Sequence, residues 1–143
     1  MKLIHLLTLS FLFFSPNLEA ATIKLSMKHI RSSKGSIAIG LFKDDATFQN
    51  DKAFKEIIID KASLSSGVLN YTFQLPPGKY GIALLDDENN NEEMDSDFFG
   101  IPEEGYGFSG YDHSGMFRPS FSDFSFVVQS GKVTRVNINV DYF

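Results

Sequence analysis

Cysteine and tryptophan are absent from the 143 residues, and histidine occurs only three times. The missing cysteine removes thiol catalysis, thiolate metal centres, disulfides and redox switching together. His29 and His113 are the only histidines beyond the first twenty residues, too few for a three-histidine zinc site. Basic residues are scarce where they would matter for nucleic acid: the net charge is −5, and neither Lys nor Arg occurs between Lys79 and Arg118. With no basic stripe interleaved with aromatics, nucleic acid is excluded as a partner. Gly-x-Ser-x-Gly is missing, as is any complete set of acid, base and nucleophile, so a non-enzymatic protein is expected.

What is present is a phenylalanine-rich chain, with 15 Phe and 43% apolar residues. After removal of a leader, a chain of about 120 residues can fold on burial alone without disulfides. The leader is read over residues 1–20: Lys2, an apolar stretch from Leu3 to Phe14, Pro16, and Leu18-Glu19-Ala20 before the cut. The apolar run is shorter than the roughly 20 residues a bilayer crossing needs, so it reads as a secretory signal peptide and not an anchor. The expected destination is the periplasm or the exterior, with no membrane insertion of the mature chain.

From Thr22 onward the hydrophobic period is two. Ile23, Leu25 and Met27 alternate, then Ile37, Ile39 and Leu41, which are expected to form a hairpin with the first strand. Asp44–Phe54 breaks the period and reads as a loop or one helical turn whose Phe48 and Phe54 pack back onto the sheet. Ile57–Ile59, Leu69–Leu75 and Tyr80–Leu84 continue the strands, and Phe124–Val128 with Val136–Val140 suggest a C-terminal hairpin. The total is about seven strands without a helix-period segment, which predicts an all-β fold, a single antiparallel β-sandwich over residues 21–143, with a closed barrel as the alternative.

Between the strands lies Asp86–Asp97, crowded with carboxylates and carboxamides. Calcium takes six to eight oxygens, and loops that hold it present short oxygen side chains at alternate positions. Asp87, Asn89, Asn91, Glu93 and Asp95 occupy positions 1, 3, 5, 7 and 9 of such a loop. Two departures stand out: Glu92 occupies the sixth position, where a sharp turn favours glycine, and Phe98 replaces the twelfth-position glutamate. A frame shifted by one uses Asp86, Glu88, Asn90 and Asp97 instead. A polar loop that holds no ion and blocks edge-to-edge pairing fits the same residues. Met27 with His29, and His113 with Met116, have the soft-ligand types of a copper(I) site but no specific spacing.

Leu75-Pro76-Pro77-Gly78-Lys79-Tyr80, Asp86–Asn91, Phe99-Gly100-Ile101-Pro102-Glu103-Glu104-Gly105-Tyr106-Gly107-Phe108-Ser109 and Arg118–Asp123 together resemble an uncharacterised bacterial family, domain of unknown function 2141. That resemblance spans nearly the whole mature chain and implies an exported transthyretin-like or immunoglobulin-like sandwich. It implies no activity.

The rings of Phe98, Phe99, Tyr106, Phe108, Tyr111 and Phe117 are expected to fold back and seal one end of the sandwich, because exposed they would form a large apolar area. Their alternative is an open aromatic platform for a glycan or peptide. The expected function is therefore an exported binding or structural module, calcium-stabilised at its acidic loop, with a cell-envelope protein or glycan as partner. The competing reading is a small envelope enzyme or carrier that uses Phe98–Phe117 as a pocket.

Overall fold

The computed structural model describes residues 18–115 and 117–143. All but the last three residues of the leader, and Met116 of the soft-ligand pair, lie outside them. Eight strands and two helical turns follow in order: β1 (Ala21–Lys28), β2 (Ser36–Phe42), α1 (Asp45–Gln49), β3 (Lys55–Asp60), β4 (Leu69–Leu75), β5 (Gly78–Asp87), β6 (Gly105–Phe108), α2 (Phe121–Phe124), β7 (Ser125–Val128) and β8 (Val133–Asn139). They form the expected sandwich. One sheet runs β4-β1-β8; the other runs β3-β2-β5, with β6 and β7 sharing the far side of β5.

The alternation sorts as read. Ala21, Ile23, Leu25 and Met27 of β1 are buried against Ile37, Ile39 and Leu41 of β2, while Lys24 and Lys28 face outward. Two expected pairings differ. β1 does not form a hairpin with β2; it lies between β4, antiparallel, and β8, parallel. β7 likewise pairs with β5 and not with β8. In both places the connection crosses from one sheet to the other, so the two strands face each other across the core. Hydrophobic period reports which face is buried, and these strands bury the same kind of face whichever neighbour they take. The one parallel pair, β1 with β8, closes the smaller sheet.

The Asp44–Phe54 segment forms the short helical turn α1. Asp44 caps it, its carboxylate accepting from the Thr47 N–H at 2.8 Å. Phe48 is buried, whereas Phe54 is 45% exposed and tilts against Tyr80. The second turn, α2, begins at Ser120, whose N–H donates to the Asp123 carboxylate at 2.8 Å. The two turns are tied by the Phe121 N–H, which donates to Asp45 Oδ1 at 2.8 Å. Together they bring Phe42, Phe48, Phe121 and Phe124 into a second apolar cluster, with Phe48 and Phe124 ring centroids 4.7 Å apart. Phe124, read from the sequence as a strand residue, belongs to this turn.

Candidate functional site

β5 delivers Asp86 and Asp87 into the acidic loop, and both are fully buried. Asp86 continues the inward row of Ile82 and Leu84, so its carboxylate enters the end of the core. There it forms an ion pair with Lys61, whose side chain is equally enclosed. Asp86 Oδ2 also accepts the Tyr142 hydroxyl at 2.6 Å. The remaining Lys61 hydrogens go to the carbonyls of Ser32 at 3.1 Å and Lys34 at 2.6 Å. Burial, followed by the Asp86 hydrogen bond, pushes the Tyr142 hydroxyl well above the ordinary phenol range. A charge pair this enclosed holds only while both members are present.

The 31–35 connection is fastened to the same place. Arg31 Nε donates to Glu88 Oε1 at 2.9 Å, Ser32 Oγ donates to Glu88 Oε2 at 2.6 Å, and the Arg31 guanidinium lies 4.4 Å over the Tyr142 ring. The Arg31 hydrogen bond holds the Glu88 carboxyl below its usual range. Gly35, at φ +66°, passes so close to β5 that a Cβ would overlap the Asp87 carbonyl. The acidic loop is thus partly neutralised by cations from distant parts of the chain, and the self-repulsion inferred from the sequence is relieved at Asp86 and Glu88.

Of the five residues read as calcium ligands, four share one hydrogen-bonded ring. Asp87 accepts the N–H groups of Asn91 at 3.1 Å and Glu92 at 2.8 Å. Asn89 Oδ1 accepts the Asn91 N–H at 3.2 Å, and the side-chain amides of Asn89 and Asn91 both donate to the Asp95 carboxylate. Glu93 joins through its N–H, which donates to Asn91 Oδ1 at 3.0 Å; its side chain is exposed. Glu104, which sequence spacing missed, closes the ring from the other side: Oε1 accepts the Glu88 N–H at 3.1 Å and Oε2 the Asp95 N–H at 3.3 Å. Burial pushes the Glu104 carboxyl up; the Asp95 N–H opposes the shift, and the negative charges of Asp95 and Asp87 add to it. Asn90 and Glu92 take φ of 56° and 61°, so the strained sixth position read from the sequence does fall at Glu92. A side chain in this region costs roughly 1–2 kcal/mol. Among the described residues no three His, Asp or Glu side chains gather closely enough to hold a metal ion by themselves. A cation here would depend on carboxamide and main-chain oxygens, which calcium accepts.

The aromatic half divides. Phe108 and Tyr111 pack against the second apolar cluster, as a seal requires. Phe98, Phe99 and Phe117 do not: they are 97%, 83% and 87% exposed. Their expected seat beneath the sheet end is already filled by Phe42, Phe48, Phe121 and Phe124. The exposed tip is held by Asp97, whose Oδ1 accepts the N–H groups of Phe99 at 2.8 Å and Ile101 at 2.9 Å.

Phe117 flanks a trough across the outer face of the larger sheet. The strand registers set two rows side by side: Ile58–Ala38–Leu85–Tyr106 and Glu56–Gly40–Ala83–Phe108. Ala38, Gly40 and Ala83 are small and stand between larger residues at the row ends, so the face is hollow. Two contiguous open hollows result, about 250 Å³ and 520 Å³, which share Ala83, Leu85, Asp51 and Arg118. The larger is walled by Met94, Pro102, Tyr106, His113, Phe117 and Phe143. Tyr106 and Phe108 can reach it because Gly105 and Gly107 face the other way; a Cβ on Gly107 would stand 2.5 Å from the Asn139 carbonyl oxygen. Arg118 forms the floor, 4.2 Å over the Phe48 ring and hydrogen-bonded to Asp51 at 2.6 Å. His113 Nδ1 is buried without a hydrogen-bond partner among the described residues, an available polar contact beside the rings.

Curated proteins give no match to this chain, and neither do solved structures. Residues 25–137 match the model of a family described as an uncharacterized protein conserved in bacteria, DUF2141. That span includes the buried Lys61–Asp86 pair, the acidic loop and most of the trough, and the chain belongs to this family.

Proposed function

We propose that the protein is an exported, non-enzymatic β-sandwich module of the bacterial envelope that binds its ligand in the trough, with calcium rigidifying the loop that forms one wall. The observation that carries this reading is the trough itself: the small residues Ala38, Gly40 and Ala83 at the sheet centre, aromatic walls, and Phe117 left in solvent at its edge. Exposed apolar area gathered in one place marks interaction sites. Two of the charged groups of the trough, Asp51 and Arg118, are spent on each other, which supports binding over catalysis. The leader composition supports export.

Calcium would be held by Asp87, Asn89, Asn91 and Asp95, the Glu93 carbonyl and Glu104. In this structure the amide hydrogens of Asn89 and Asn91 balance the Asp95 carboxylate, which is the charge a cation would balance. The same loop carries Met94 and Pro102 of the trough wall, and the Glu103 N–H donates to the Asp95 carbonyl at 2.8 Å, so ordering one half orders the other.

Two measurements test the reading. Nile red, a neutral apolar dye, is expected to brighten on binding wild-type protein and to lose at least tenfold in affinity in Phe117→Ala/Phe143→Ala, about 1.4 kcal/mol. Equal dye binding by both proteins would remove the trough from consideration. For the ion, a dissociation constant of about 0.1 mM gives roughly 1.4 kcal/mol at 1 mM calcium. The melting temperature should then rise by about 3–6 °C. Asp95→Ala should abolish the rise, and identical melts in calcium and chelator would eliminate the ion.

A further inference from the structure

The two ends of the trough differ in chemistry, and the difference describes what fits. Across the strands, the row that begins at Glu56 on β3 ends at Phe108 on β6. Glu92 lines the same smaller hollow as Glu56, together with Asp51 and Arg118. Asp51 is neutralised by Arg118, but neither Glu56 nor Glu92 has an ion-pair partner among the described residues. The opposite end is apolar, walled by Tyr106, Phe117 and Phe143.

Glu92 adds an independent sign. It holds a left-handed backbone position that favours glycine, yet carries a carboxylate that lines the trough. Strain retained at such a position is a pointer to use. Here the strained backbone supplies a second unpaired negative charge to the hollow that Glu56 lines.

We propose that the trough docks a peptide segment of a partner protein that bears a basic residue at one end and aromatic or aliphatic residues at the other. The basic end lies against Glu56 and Glu92; the apolar end lies among Tyr106, Phe117 and Phe143. Three inter-strand steps of about 4.8 Å separate β3 from β6, so the charged and apolar anchors stand roughly 14 Å apart. At about 3.3 Å per residue an extended peptide covers that in roughly four residues. The charge complementarity excludes an acidic peptide and disfavours a neutral acyl chain, neither of which uses the two carboxylates.

This inference rests on the trough being the binding surface, and the test separates the two. The probe is an acetylated hexapeptide, Lys-Lys-Ala-Ala-Phe-Phe, followed by calorimetry at low and high salt, beside its Gln-Gln and Glu-Glu counterparts and Nile red. The lysine peptide is expected to bind about threefold to tenfold more tightly than the glutamine peptide at low salt, with the advantage fading as salt rises. Glu56→Gln/Glu92→Gly should erase that advantage, leave Nile red binding unchanged, and melt no lower than wild type. Phe117→Ala/Phe143→Ala should weaken all three ligands that bind. If the glutamine peptide or Nile red binds while lysine brings no advantage, the basic-peptide assignment is overturned and the trough stands. If the lysine advantage survives Glu56→Gln/Glu92→Gly, the assigned carboxylates are wrong. If neither the peptides nor the dye respond to loss of Phe117 and Phe143, both readings fall.

Discussion

Replacing Lys61 by alanine is expected to cost about 3–5 kcal/mol in urea unfolding, because it strands the Asp86 carboxylate in the core. Asp86 would keep only the Tyr142 hydroxyl, itself shared with the Arg31 N–H at 3.1 Å. The substitution also releases the carbonyls of Ser32 and Lys34, which hold the 31–35 connection against β5. Removing both charges with Lys61→Met/Asp86→Leu should give a protein more stable than Lys61→Ala, since a buried pair replaced by apolar residues of similar size is often neutral or better. A loss below about 1 kcal/mol in Lys61→Ala would mean that the pair is solvated and that the acidic loop is anchored by something else.

Phe124→Ala is expected to cost about 3–5 kcal/mol, the usual loss for a buried phenylalanine. Its ring is almost fully enclosed, and it packs against Phe48, Phe108 and Phe121. Phe98→Ala, Phe99→Ala and Phe117→Ala should each stay within about 0.5 kcal/mol of wild type, as exposed substitutions do. Phe117 and Phe124 lie seven positions apart, yet their expected costs differ severalfold. If the exposed set cost as much as Phe124, the rings would be sealing the sandwich end, and the trough would lose its walls.

The strands were legible because side chains with period two must put one face in the core, and β1, β2 and β4 do so cleanly. β6 was missed for a specific reason. Its inward positions are Gly105 and Gly107, so its apolar residues, Tyr106 and Phe108, fall on the outer face and imitate loop aromatics. Strand partners were illegible: the hairpins read at Arg31–Gly35 and Ser130–Gly131 are crossovers between sheets. The Lys61–Asp86 pair joins the connection after β3 to the end of β5, and charge order along the chain carries no trace of it.

In the acidic loop, spacing singled out Asp87, Asn89, Asn91 and Asp95, which local turns bring into one hydrogen-bonded ring. It could not find Glu104, which arrives after the loop returns. The trough had a faint signal in the small outward residues Ala38, Gly40 and Ala83 at strand centres, where larger residues usually cover a sheet face. That signal becomes meaningful only once the register aligns the three positions across β2 and β5.

The most direct test is a fluorine NMR spectrum of protein carrying 4-fluorophenylalanine, each resonance assigned by single substitution, recorded with a soluble paramagnetic agent before and after Nile red. The account requires Phe98, Phe99 and Phe117 to be broadened by the agent, Phe48 and Phe124 to be protected, and Phe117 to become protected when the dye is added. Protection of Phe117 before any dye is added, or broadening that the dye does not change, would contradict the trough as the binding surface.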